Sequence, residues 1–171
     1  VHCQITNPRI LQGMKDQDLL AYIQPVFIDL DMNTVEPAIG AHRMDKVYAG
    51  KSMRDMGIHT SGGSDAPVVS FDAMENIYFA VTRKNISGQP QEGWIPSEKI
   101  SVDEAVKLFT KNAAYASYTE DENGTIEVGK NADFVVLEKN IYEIDPDEIK
   151  ATKVDMTVLG GEIVYEREVE E

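Results

Sequence analysis

His2 and Asp65 are the two side chains of this sequence best placed to act together on a water molecule. Asp65 stands in Gly63-Ser64-Asp65-Ala66-Pro67-Val68, directly after the run Gly57-Ile58-His59-Thr60-Ser61-Gly62. A short stretch of β character there ends in two glycines, a carboxylate follows at the turn, and Pro67 begins the exit. An acid at the C-terminal mouth of a parallel strand is where barrel enzymes place catalytic groups. His2 precedes Asp65 by 63 positions, and one strand–helix unit of an eight-stranded barrel takes about 31 residues. Two whole units fit between them, with the apolar run at Leu20 to Phe27 as the middle strand. An imidazole and a carboxylate on one rim are standard zinc ligands, and a carboxylate also supplies the base that a metal-held water needs. By residue type alone, ordinary roles compete. A lone His near a chain start is commonly structural or solvated, and an Asp after Gly-Ser commonly caps a helix or forms a turn. His59 shares the strand parity of Asp65 and His42 falls in a loop, so their claims are weaker.

The elements that must position this pair follow from hydrophobic spacing. Val1 to Ile5 reads as the end of a strand. Asn7-Pro8 opens a short helix with Ile10, Leu11 and Met14 on its apolar stripe. Leu19 to Phe27 is a mostly apolar run suited to a strand covered on both faces. Asp29 to Gly40 is rich in turn formers and reads as loop. A helix is predicted over Met44 to Met56, a short strand over Ile58 to Ser61, and an amphipathic helix over Asp72 to Lys84. Residues 85–97 read as loop. Ser101-Val102-Asp103-Glu104 has the capping-box form and opens a helix whose apolar face runs from Val102 to Ala113. Strand and helix in alternation indicate parallel α/β architecture. After Tyr118 the pattern changes to a turn-bounded segment at 124–130, a strand over Asp133 to Leu137, and a polar connection. An alternating strand at Val154 to Val158 then turns at Gly160-Gly161 into Ile163-Val164-Tyr165, a hairpin.

Composition narrows the partners. Thirty acidic against 16 basic residues give a net charge of −14, which argues against a nucleic-acid or anionic-membrane surface. The acidic runs Glu120-Asp121-Glu122, Asp145-Pro146-Asp147-Glu148 and Glu166 to Glu171 read as solvated faces. A single cysteine, Cys3, excludes an intrachain disulfide. No apolar run reaches the ~18–20 residues of a membrane span. The sequence has no basic-then-apolar signal pattern, and cytoplasmic placement is the expectation. The first residue is Val rather than Met, so further chain is expected upstream.

Specific blocks then come in a familiar order: Val1-His2-Cys3-Gln4, Gln24-Pro25, Ile39-Gly40-Ala41-His42-Arg43, Tyr48, Ser52, Met56-Gly57 and Gly63-Ser64-Asp65-Ala66-Pro67-Val68. Beyond them stand Ala80-Val81-Thr82-Arg83, Phe109-Thr110-Lys111-Asn112-Ala113-Ala114 and Gly124-Thr125-Ile126-Glu127-Val128-Gly129-Lys130-Asn131-Ala132-Asp133-Phe134. Together they resemble the C-terminal part of the YtcJ-like branch of the amidohydrolase superfamily, which includes N-substituted formamide deformylases. The resemblance implies an α/β fold: about the last three strand units of a (β/α)8 TIM barrel over residues 1–122, then strands of a small composite β-sandwich over 123–171. It implies a metal-dependent hydrolase of C–N bonds in small, amide-like, non-peptide substrates, with a divalent ion, zinc by expectation. His2 matches a metal-binding histidine, and Asp65 an aspartate that binds metal and shuttles a proton. Arg43 falls on the substrate side of the pocket. The remaining ligands of the family lie upstream of Val1, so the chain by itself is expected to be inactive or nearly so. A non-catalytic regulatory or protein-interaction module on the same scaffold is the alternative. Both readings expect self-association through an open barrel edge.

Overall fold

The computed structural model describes residues 1–168; the end of the acidic tail, residues 169–171, lies outside the described residues. Its organising feature is a row of three parallel segments. β1 (Ala21–Ile23) pairs with β2 (Thr60–Gly62), Ile23 lying opposite Gly62. His2 forms a parallel bridge to Ile23, so His2, Ile23 and Gly62 stand side by side. The chain between His2 and β1 carries α1 (Pro8–Asp16), which begins as its sequence predicts. The Asn7 side chain accepts from the Ile10 amide at 2.9 Å, and Pro8 occupies the first turn. Leu11 packs that helix onto Ala21, Met53 and Ile58.

The connection from β1 to β2 departs from expectation. Only Ala21–Ile23 of the apolar run is strand. Pro25 has no amide hydrogen to continue a ladder, and the carbonyls of Gln24 and Pro25 instead accept from Phe27 and Ile28 at 3.1 Å each. The turn leads into α2 (Phe27–Asp31) and α3 (Val35–Ile39), where a loop was expected. The helix expected over 44–56 is split into a 3-10 turn at Ala41–Lys46 and α4 (Gly50–Asp55). Between them the chain is extended at Val47, which bridges Ile5 antiparallel, and the Tyr48 amide donates to the Gln4 carbonyl at 2.8 Å. We refer to residues 46–52 as the strap.

α5 (Ala73–Thr82) is capped by Asp72, which accepts from Met74 and Glu75. α6 (Val102–Phe109) has the full capping box of Ser101 and Glu104. It stops at Thr110, and α7 (Lys111–Ala116) continues at a new angle of backbone, Thr110 having φ −126° and ψ −100°. α6 lies so close to β2 that a Cβ on Gly62 would stand 2.7 Å from the Phe109 ring. The block Gly129-Lys130-Asn131-Ala132-Asp133 then ties two elements together. Lys130 Nζ donates to the Glu120 carbonyl and to Thr125 Oγ1, at 2.6 and 2.7 Å. The Asp133 carboxylate accepts from Gly160 at the next hairpin. β3 (Phe134–Leu137), β4 (Val154–Leu159) and β5 (Glu162–Glu166) form an antiparallel sheet in that order, with the expected turn at Gly160-Gly161.

The main core joins Val26, Phe27, Ile28 and Val47 to Tyr78 and Phe79 of α5. Ile141 and Ile149, from the connection between β3 and β4, are buried in the same core. Among the described residues no helix is long and apolar enough to cross a membrane.

Candidate functional site

His2 and Asp65 belong to the two outer segments of the parallel row. Adjacent strands are about 4.8 Å apart, so the row places His2 and Gly62 roughly 10 Å from each other, with Asp65 three residues past Gly62. His2 is half-buried. Its Nδ1 lies 2.9 Å from Oε1 of the buried Gln24, and its ring stacks on Phe27 at 5.8 Å between centroids. Nε2 has no hydrogen bond among the described residues. Asp65 is exposed, with φ 60°; its carbonyl accepts from Val68 at 2.9 Å and its carboxylate is free of hydrogen bonds among the described residues. No hydrogen bond joins His2 to Asp65. Arg43 sits in the exposed 3-10 turn, donating from Nε to His42 Nε2 at 3.1 Å. It is not among the residues around the His2 cavity.

That cavity, about 30 Å³, is bounded by His2, Gln24, Tyr48, Arg83 and Glu98 among others and has room for about one water. Polar anchors surround it. The Tyr48 hydroxyl donates to Asp31 Oδ2 at 2.6 Å and accepts from Gln4 Nε2 at 3.0 Å, while Gln4 also donates to the same Asp31 oxygen at 2.8 Å. Burial first, then the bond to Asp31, pushes the Tyr48 phenol far above its ordinary range. Arg83, buried at the C-terminus of α5, donates to the carbonyls of Trp94, Tyr48 and Val47 at 2.6, 2.9 and 3.4 Å. Desolvation lowers its guanidinium to about 10, with Glu98 and Tyr48 opposing; it is still a cation at neutral pH. The buried Glu98 carboxylate accepts from the Ser52 amide at 2.8 Å and from the Ser52 hydroxyl, with Lys46 3.8 Å away. Each anchor ends on the strap, and the strap lies against the segment that carries His2.

Sequence reasoning singled out His2, Asp65, Arg43, Tyr48 and Ser52, but not the roles of Gln24, Asp31 and Glu98. Gln24 had a legible sign: a lone carboxamide closing an apolar run before proline. Asp31 and Glu98 had none, because each reads as one more acid in a polar stretch.

An imidazole nitrogen and a carboxylate are donor types that suit a divalent ion, and neither His2 Nε2 nor the Asp65 carboxylate has a hydrogen bond among the described residues. Among the described residues no group of three His, Cys, Asp or Glu side chains clusters as a metal site.

In this α/β body a histidine lies on one outer segment of the parallel row and an aspartate stands three residues past the other, with β1 between them. The chain belongs to the amidohydrolase family (Amidohydro_3), which matches residues 1–165. It is 34% identical to the Bacillus subtilis (strain 168) protein YtcJ over 98% of this chain and 32% of that protein. It is 34% identical to the N-substituted formamide deformylase of Arthrobacter pascens over 71% of this chain and 22% of that enzyme. The chain thus spans a third or less of the length of these relatives. In fold it is similar to a metal-dependent hydrolase from Pyrococcus horikoshii OT3, with TM-score 0.73 and 21% identity over 85% of this chain and 29% of that one.

Proposed function

We propose that this chain is the C-terminal portion of a metal-dependent hydrolase that cleaves a C–N bond in a small, amide-like, non-peptide substrate. Residues 1–122 would supply the last three strand units of a TIM barrel, and 123–171 the strands of a composite β-sandwich. The observation that supports this reading is the parallel row with His2 on one outer segment and Asp65 three residues past the other, Nε2 and the carboxylate both lacking a hydrogen bond among the described residues. His2 and Asp65 would hold a divalent ion, zinc by expectation, which when bound acidifies water and polarises a carbonyl. The Asp65 carboxylate then takes a proton from the attacking water and returns it to the leaving nitrogen, which must depart as a neutral amine. Arg43, with its exposed guanidinium, is proposed for the substrate side. Cytoplasmic placement belongs to the same reading.

Two donors fall short of the three or four protein ligands that a zinc ion needs, so the chain alone is proposed to be inactive. The two-donor set also favours a second reading, a non-catalytic interaction module on the same scaffold. One set of assays separates them. In the protein expressed from the whole open reading frame, N-substituted formamides and other small amides are hydrolysed, and Asp65→Asn lowers kcat by about 10²–10⁴-fold. The isolated chain shows neither turnover nor stoichiometric zinc. Activity or tightly held zinc in the isolated chain overturns the incomplete-site reading. Loss-free hydrolysis in Asp65→Asn overturns the role of Asp65, and a whole protein inert towards metal and amides leaves the module.

A further inference from the structure

We infer that Gln24 is a positioning residue that locks His2 in its Nδ1–H tautomer and so keeps the Nε2 lone pair free. Its value to a metal site rests on the reading of His2 as a ligand; the tautomer itself does not. A carboxamide oxygen can only accept, and Oε1 of Gln24 stands 2.9 Å from Nδ1 of His2. The ring nitrogen facing it must carry the proton, which leaves Nε2 as the basic nitrogen in the neutral ring. Neutral imidazole in water favours the opposite tautomer, so the contact selects the minor form.

Three further observations show a ring held in one orientation rather than resting in one. Gln24 is 6% exposed, so little water competes for its oxygen. The same turn that presents Gln24 presents Phe27, whose ring lies 24° from the plane of His2. Gln24 thus fixes the nitrogen and Phe27 fixes the plane, both from one element. That turn exists because Pro25 ends β1: the Gln24 carbonyl accepts from the Phe27 amide at 3.1 Å, which brings the two side chains to one side. His2 and Cys3 also have φ of 67° and 53°, a left-handed conformation costly for residues with a Cβ and found where surroundings over-determine the backbone. A hydrogen bond on the far nitrogen is the device by which proteins orient a metal-ligating imidazole.

His59 supplies an internal control. Its Nε2 lies 3.1 Å from the Asn112 carbonyl, so the same logic assigns it the Nε2–H tautomer.

The test is long-range 1H–15N correlation on the 15N-labelled chain at a pH where imidazoles are neutral. Three histidines are present, and His2→Asn assigns the signals of His2. The wild-type chain should show a protonated Nδ1 and a lone-pair Nε2 for His2, and the reverse for His59. Gln24→Leu should lose the His2 pattern in favour of a mixture weighted to Nε2–H, with His59 unchanged as proof of an intact fold. Gln24→Glu should retain it, because a carboxylate also only accepts. An Nε2–H His2 in the wild-type chain overturns the inference, which is the outcome if the carboxamide presents its nitrogen instead. So does an unaltered His2 pattern in Gln24→Leu with His59 intact. Added Zn2+ probes the parent reading separately: an Nε2 resonance that never moves counts against His2 as a ligand and leaves the assignment to Gln24 standing.

Discussion

Tyr48 shows what one buried hydroxyl does for this site. The residue is 7% exposed and its φ is 49°, so it occupies a strained conformation and must be held there. The hydroxyl satisfies Asp31 and Gln4 at once, and Gln4 is two residues from His2. Tyr48→Phe leaves its two half-buried partners each short of a bond, a loss of about 1 kcal/mol, readable as a lower urea midpoint at neutral pH. The raised phenol adds a pH signature. In the unfolded chain tyrosine loses its proton near pH 10, while in the fold Tyr48 keeps it. Above that pH the unfolded state therefore binds fewer protons than the native one, and stability falls as pH rises. The contribution is complete below about pH 10 and declines beyond it. Urea melts of wild type and Tyr48→Phe should differ most at neutral pH and converge as the pH passes about 10 to 11. A constant difference at all pH values would place Tyr48 in a far more exposed setting than the one described.

At the scale of elements, the strap is the feature that converts distant parts of the chain into one site. Its carbonyls at Val47 and Tyr48 are satisfied by Arg83 from the end of α5, and its amide at Ser52 by Glu98. Arg83→Met keeps much of the packing over Trp94, whose ring centroid is 5.7 Å from the guanidinium carbon, but removes the donor from the Trp94 and Val47 carbonyls and leaves the Tyr48 carbonyl with only the Gly50 amide. A loss on the order of 3 kcal/mol is expected, with cooperative unfolding retained; a loss under about 1 kcal/mol would mean that water replaces the guanidinium. This element is also where the sequence was least legible. α5, the capping box at Ser101 and the hairpin at Gly160 follow from local rules, and all three stand where those rules put them. The strap does not, because its conformation is set by Gln4, Arg83 and Glu98, which no short window contains. The apolar spacing of Met44, Val47 and Tyr48 suggested one helix. Val47 and Tyr48 are indeed buried, but Val47 is extended and Tyr48 turns the chain with φ 49°. For the site, His2 and Asp65 stand out by their spacing, and in the fold His2 makes an isolated bridge while Asp65 lies three residues past β2; the contact of Gln24 with His2 depends on the turn at Pro25, which no spacing rule announces.

For the whole molecule, charge and apolar exposure oppose each other. The antiparallel sheet pairs β4 on both sides, leaving β3 and β5 as edges. On β5, Ile163, Val164 and Tyr165 are 57, 57 and 49% exposed in succession, so both faces of an edge strand lie open. Such a strand is a template for pairing with another. The parallel row is better covered, since the Thr60 carbonyl already accepts from Asn112 Nδ2 at 2.9 Å. We therefore expect the isolated chain to self-associate through β5 rather than β2. The net charge of −14 repels a second copy, and that repulsion reaches about 30 Å at 0.01 M salt but only about 3 Å at 1 M. Sedimentation velocity should show association that grows between those two salt concentrations. Val164→Lys, a charge in the middle of the edge, should reduce it at both, while a substitution at Ser61 in β2 should not. A chain that stays monomeric across the salt range would show that the open sheet is protected by its own twist and flanking Glu162 and Glu166, and would remove β5 as the associating edge.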